Sequence, residues 1–177
     1  MIRLFIVMTV FLSFCNSCKK IDKLTQFNME YNASVVIPST TGIALPIDIL
    51  TPDIESNSES TFAVNDTRKD LVERIVLTSL DLTITSPSGG DFSFLESISI
   101  FINAEGLQET KIAWLDEIPP SAGSTLVLVT SDADLKEYIK KDNFSLKVNT
   151  VTDELISSDH HIEIQAVFFV DAKILGI

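Results

Sequence analysis

His161-Ile-Glu-Ile-Gln-Ala-Val-Phe-Phe-Val-Asp-Ala-Lys-Ile174 is the stretch whose pattern decides the fold. Ile162, Ile164, Ala166, Phe168, Val170, Ala172 and Ile174 take every second position, with His161, Glu163, Gln165, Asp171 and Lys173 between them. Side chains of an extended chain point alternately to opposite sides, so this period of two means a strand with one buried and one wet face. Wound as a helix, the same residues would scatter around the whole circumference.

The same period recurs toward the N-terminus. Phe27, Met29, Tyr31, Ala33, Val35 and Ile37 alternate with Asn28, Glu30, Asn32 and Ser34 until Pro38. Ile43, Leu45, Ile47 and Ile49 repeat it, and Pro46, with no N–H to give a ladder, predicts an edge strand or a bulge there. Ile75 to Ser86, rich in Ile, Leu, Val and Thr, reads as a long strand closed by the turn Pro87-Ser88-Gly89-Gly90. Phe92, Phe94 and Leu95 lead into Ile98, Ile100 and Ile102, and Glu105-Gly106 ends that strand. Thr110 to Leu115 carries Trp114, ahead of breaks at Pro119-Pro120 and Gly123. Leu126-Val127-Leu128-Val129 is apolar on both faces and predicts a central strand. Phe144, Leu146 and Val148 alternate in turn.

Helical signals are few. The polar residues 51–67 predict a loop with a short edge strand near Thr61 to Val64. Asp66 or Thr67 then reads as the cap of one or two helical turns, with Asp70 in the first turn and Leu71 and Ile75 inward. Ser131-Asp132-Ala133-Asp134 reads as a capping box, followed by Leu135, Tyr138 and Ile139 at helical spacing and Lys140-Lys141 at the dipole-favoured end. That predicts one short helix near residues 132–141. Strands do not alternate with helices, which argues against a parallel α/β sheet. The expectation is an all-β antiparallel β-sandwich, Ig-like with Greek-key connections, of about 7–9 strands, formed by residues 25–177 as a single domain; a β-barrel is the alternative.

A chain of 177 residues, 45% hydrophobic, buries enough surface to fold without staples. Its 13 Lys+Arg against 25 Asp+Glu give a net charge of -12, which argues against a nucleic-acid partner, because phosphates would be repelled. Cys15 and Cys18 are the only cysteines, so the body has no disulfide framework, thiol nucleophile or Cys-based zinc site.

The chain starts Met1-Ile2-Arg3, continues with the apolar run Leu4 to Phe14, and reaches Cys15-Asn16-Ser17-Cys18-Lys19-Lys20. Such a run is too short to span a bilayer, which takes about 20 residues, but it has the charged start and apolar middle of a secretory signal. The junction resembles a bacterial lipoprotein signal over residues 1–17, with Cys18 as the acylated cysteine, because Ser17 supplies the small residue that cleavage needs. The departure is Cys15, which stands three places before Cys18 where Leu is usual. Cys15 itself is the alternative, with Leu12 three places earlier but bulky Phe14 directly before it. Residues 18–24, including Lys19, Lys20 and Lys23, read as a tether.

Among residues that carry chemistry, Asp159-His160-His161-Ile162-Glu163 holds both histidines. Strand alternation sends the two imidazoles to opposite faces, and a third ligand beside His161 and Glu163 would have to come from elsewhere, so no metal is expected. Asp132-x-Asp134 begins like a calcium loop, but the sixth position is Glu137 rather than Gly and the twelfth is Asn143 rather than Glu. The pairs Asp116-Glu117 and Asp153-Glu154 read as solvated turn charges. There is no Gly-x-Ser-x-Gly elbow, and Ser88-Gly89-Gly90 lacks the lysine of a phosphate loop. No catalytic residue and no cofactor are expected. Trp114 reads as a core or rim aromatic, with a sugar-stacking platform as the functional alternative. Three glycosylation triplets, at Asn32, Asn65 and Asn143, carry no weight in a bacterial lipoprotein.

A signal ending in Ser17-Cys18-Lys19-Lys20 ahead of an all-β body is similar to the small uncharacterised lipoproteins of Bacteroidetes-type bacteria. Residues 1–20 carry that resemblance, and Leu80-Asp-Leu-Thr-Ile-Thr-Ser-Pro87 and the final strand are similar to proteins of the same group. The resemblance implies anchoring in the outer membrane, or another envelope membrane, by lipid on Cys18; it implies no activity. Surface-exported members carry acids just after the lipidated cysteine, so Lys19 and Lys20 imply a position facing the periplasm. The expected function is a monomeric, non-enzymatic module binding an envelope protein or a glycan. An envelope hydrolase and a structural or stress-protective β domain are the alternatives.

Overall fold

The computed structural model describes residues 26–39 and 46–173. The expectations for the signal, Cys15, Cys18, the tether, Ile43, Leu45 and Ile174 lie outside the described residues.

The described chain opens with three strands, β1 (Gln26–Ile37), β2 (Pro46–Leu50) and β3 (Ile54–Glu55). A short helix α1 (Ser58–Val64) and a 3-10 turn (Lys69–Leu71) lead into the longest strand, β4 (Val72–Ser86). Next come β5 (Leu95–Asn103), β6 (Thr110–Leu115), β7 (Thr125–Val127) and β8 (Val129–Thr130). A single helical turn α2 (Lys136–Ile139), β9 (Asn143–Thr152) and β10 (His160–Ala172) complete it.

The first sheet runs β1-β10-β4-β7 and the second β2-β9-β5-β6-β8, with β3 also pairing β9. Every pairing is antiparallel. Neither sheet closes on itself, so the architecture is a sandwich and not a barrel. The pairs nest: β1 with β10, β2 with β9, β4 with β7 and β5 with β6. The chain is therefore one antiparallel ribbon, doubled back at the β5–β6 turn and wound across both sheets, which is the jelly-roll form of a Greek-key sandwich.

Alternation built this. Ile162, Ile164, Ala166, Phe168, Val170 and Ala172 of β10 are all buried, as are Ile98, Ile100 and Ile102 of β5 and Phe144, Leu146 and Val148 of β9. At the centre, the Tyr31 ring meets Phe144 edge-on at 5.1 Å and Phe168 at 5.6 Å, which locks the two sheets together. The Tyr31 hydroxyl donates to the Ser56 carbonyl at 2.6 Å, and burial pushes its pKa up. Pro46 sits on β2, at an edge of the second sheet, where its missing N–H costs no ladder bond.

Four local expectations are corrected. The stretch Thr61 to Val64 is helix rather than edge strand: Phe62 alone is buried there, beside Phe27 at 6.2 Å, while Val64 is 84% exposed. One anchoring side chain leaves no periodicity to read. Asp66 and Thr67 cap nothing; the buried Thr67 hydroxyl instead donates to the Lys173 carbonyl at 2.7 Å, and Ile75 is buried on β4. Leu126 to Val129 is not a central strand but a crossing between sheets, β7 on one edge and β8 on another. Leu126 and Leu128 point inward, leaving Val127 and Val129 67% and 52% exposed. Finally, Ser131 is no cap: its hydroxyl is buried without a partner, and the helix is one turn beginning after Leu135. Asp134 does the bridging, accepting from the N–H groups of Ile75 and Lys136, both at 3.1 Å. Leu135 and Ile139 are fully buried beneath that turn.

Candidate functional site

The sandwich has two outer faces of different chemistry. On the second sheet, the registers set Val129, Trp114, Ser99, Asn149 and Asp48 in one row across five strands. The adjacent row is Lys111, Phe101, Lys147 and Leu50. Trp114 and Phe101 are half-buried, and Leu50 is 62% exposed. Each ring carries a cation: Lys111 Nζ lies 4.8 Å from the Trp114 centroid and Lys147 Nζ 4.9 Å from that of Phe101. Lys147 also pairs with Glu109, and Asn149 Nδ2 donates to Asp48 Oδ1 at 2.7 Å.

A bulge makes this face. The β5–β6 register shifts between Ile100 and Phe101, so that Ile112 and Ala113, adjacent in sequence, are both buried. Lys111 and Trp114 are three residues apart and would face opposite sides of a regular strand. The extra residue returns both to the same side. Trp114, read from sequence as a core or rim aromatic, therefore belongs to an open aromatic face with Phe101.

On the first sheet, the corresponding rows are Asn32, Gln165, Asp81, Val127 and Ser34, Glu163, Thr83, Thr125. All of these but Val127 and Thr125 line a cavity of about 590 Å³, and among the described residues no aromatic or cationic side chain lines it. Register shifts in the β10–β4 pairing at His161/Ile162 and Val167/Phe168 lie at either end of it, and bulges of this kind bend and twist a sheet locally.

The other residues singled out in the sequence stay apart. His160 is half-buried, its ring centroid 4.4 Å from that of Phe94, with Nδ1 at 2.9 Å from the Ser158 carbonyl oxygen. His161 is exposed on the opposite side, in line with Glu163. Among the described residues no group of three or more His, Cys, Asp or Glu is placed to hold a metal ion. Asp116, Glu117, Asp153 and Glu154 are exposed in turns. Three carboxyls sit below their ordinary range. Asp159 accepts from the Ser39 N–H at 2.7 Å, and Asp91 from the Ser93 hydroxyl and N–H. For Asp134, partial burial pulls the pKa up, but the N–H groups of Ile75 and Lys136 and the Lys136 ammonium outweigh it. The Glu73 carboxylate raises Lys173 in turn.

No protein-family model matches the chain, and no curated protein resembles it in sequence. Solved structures match it only distantly. A crystal structure of FLHE is 6% identical, with 82% of this chain and 97% of that chain covered and a TM-score of 0.34. The empty head of turnip yellow mosaic virus is 11% identical, covering 84% and 82%, with a TM-score of 0.30. Carbohydrate-binding modules from the β-sandwich superfamily are 11% identical, covering 87% and 58%, with a TM-score of 0.27. At these scores the likenesses carry no functional argument; the strand order itself defines the jelly roll. Among the described residues no helix is long and apolar enough to cross a membrane.

Proposed function

We propose that this protein is a lipid-anchored, non-catalytic module of the bacterial cell envelope that binds a glycan on the outer face of its second sheet. The observation that carries this reading is the row from Trp114 through Ser99 and Asn149 to Asp48. A sugar ring has an apolar C–H face and a rim of hydroxyls. The indole suits the first, and the hydroxyl, amide and carboxylate beside it suit the second. Lys111 over the indole is a weak placeholder, since an exposed cation–π contact contributes only about 0.5–1 kcal/mol.

Trp114 is the only tryptophan, so its emission reports directly on this face. Titrating envelope polysaccharides against the protein should shift that emission saturably for at least one of them, and Trp114→Ala should remove the binding without lowering the melting temperature. Emission that no polysaccharide moves, with unchanged binding by the alanine variant, would sink the reading.

The anchor is proposed at Cys18, with the protein facing the periplasm. Two acyl chains hold a protein stably where one does not, each buried CH₂ contributing about 0.8 kcal/mol. Fatty-acid labelling should be lost in Cys18→Ala and kept in Cys15→Ala; the reverse pattern would move the anchor to Cys15.

A further inference from the structure

We propose that the cleft on the outer face of the first sheet is a second binding site, which takes lysine or arginine side chains of a partner polypeptide. Its floor is the strands β1 and β4 paired on either side of β10, so the Cα positions of the residues standing on it are held at fixed spacings. Asn32, Ser34, Thr83, Glu163 and Gln165 line it without using their polar atoms elsewhere. Among the hydrogen bonds of the described residues none involves those five side chains, and Asp81 takes a single one, from Ser79 Oγ at 3.2 Å.

The inventory of these groups selects the ligand. Two carboxylates only accept; the amides and hydroxyls both donate and accept. Acceptors are in excess, so the complementary ligand is rich in donors. Among the described residues no lysine or arginine pairs with Asp81 or Glu163, so both carboxylates are open to a cation from outside. Asp81 and Glu163 are diagonal neighbours across β4 and β10, since Gln165 faces Asp81 and Glu163 faces Thr83. Diagonal positions are about 7–8 Å apart, a separation that one guanidinium or two neighbouring cationic side chains bridge. A sugar would want an aromatic floor, and among the described residues the cleft has none. The net charge of -12 draws cationic partners toward the molecule and so favours their encounter with the cleft.

The test uses the full chain with three probes: a short arginine- and lysine-bearing peptide, the same peptide with glutamine at those positions, and a neutral oligosaccharide. The basic peptide should bind, and Asp81→Asn with Glu163→Gln should weaken it at least tenfold at unchanged melting temperature. A control pair, Asp116→Asn with Glu117→Gln, removes the same charge from a distant turn and should change binding less than twofold. Trp114→Ala should leave peptide binding intact, which separates this site from the glycan face. If the control pair weakens binding as much as the cleft pair, the attraction is bulk charge and the site is wrong. Equal binding of the glutamine peptide, or preference of the cleft for the oligosaccharide, would overturn it as well.

Discussion

The two outer faces lie on opposite sides of one core and differ in almost every respect. The second sheet displays aromatic rings with ammonium groups laid over them. The first displays amides, hydroxyls and carboxylates around a hollow. Neither composition is dictated by the fold, because the inward positions do the folding and the outward ones are left free. The difference teaches where specificity can reside in a jelly roll: the same strand spacing presents a stacking surface on one side and a hydrogen-bonding floor on the other.

The comparison breaks first if the faces belong to separable layers. Phe168 stands under the first sheet and Phe144 under the second, their centroids 6.3 Å apart. Each change to alanine should cost about 3–5 kcal/mol, and the double variant should cost less than the sum because the rings share neighbours. Urea denaturation followed by far-UV and by tryptophan signals would check this; two separate transitions would mean two layers rather than one core.

A second effect, in binding rather than stability, sharpens the contrast. Trp114→Ala should abolish glycan binding and spare the basic peptide, while the Asp81 and Glu163 pair should do the opposite. Loss of both ligands in either variant would merge the two sites into one.

Smaller is the effect of a carboxylate that is already engaged. Unlike Asp81, Asp134 accepts two backbone N–H groups that tie α2 to β4. Asp134→Asn should cost about 1 kcal/mol at neutral pH, since the site is partly open to solvent. Its folded pKa lies below the ordinary value of about 3.9, so this stability is present above that value and fades as pH falls through the folded pKa. The gap between wild type and variant should therefore close on acidification.

The least effect is expected at Val127, which is 67% exposed on an edge. Val127→Lys should move stability by less than about 0.5 kcal/mol. A drop of several times that size would mean the edge is covered.

Much of the sandwich was legible beforehand because a period of two is a local property. The inward residues of β1, β9 and β10 follow from alternation alone, whereas on β4 the buried set changes phase between Leu77 and Leu80. Failures came where a segment's neighbours, not its own pattern, set its state. Leu126 to Val129 is apolar throughout, yet it straddles two sheet edges instead of filling a sheet centre. Ser131 matches a capping box, yet Asp134 answers to Ile75 on a distant strand. Phe62 is the one buried apolar residue of a helix that the sequence therefore does not announce.

The sequence by itself determined the fold class, most strand-forming segments, which side of β1, β9 and β10 is buried, and the acidic character of the chain. These depend on side-chain chemistry read over a few neighbouring residues. Tertiary structure alone decided the jelly-roll order, and with it both candidate sites. Asn32, Asp81 and Glu163 meet only because β10 lies between β1 and β4, far apart along the chain. Lys111 and Trp114 share a face only because pairing with β5 inserts a bulge between them. The physical reason is the same for both: strand partners and bulges are chosen by contacts across the whole core, and no local run of residues encodes them.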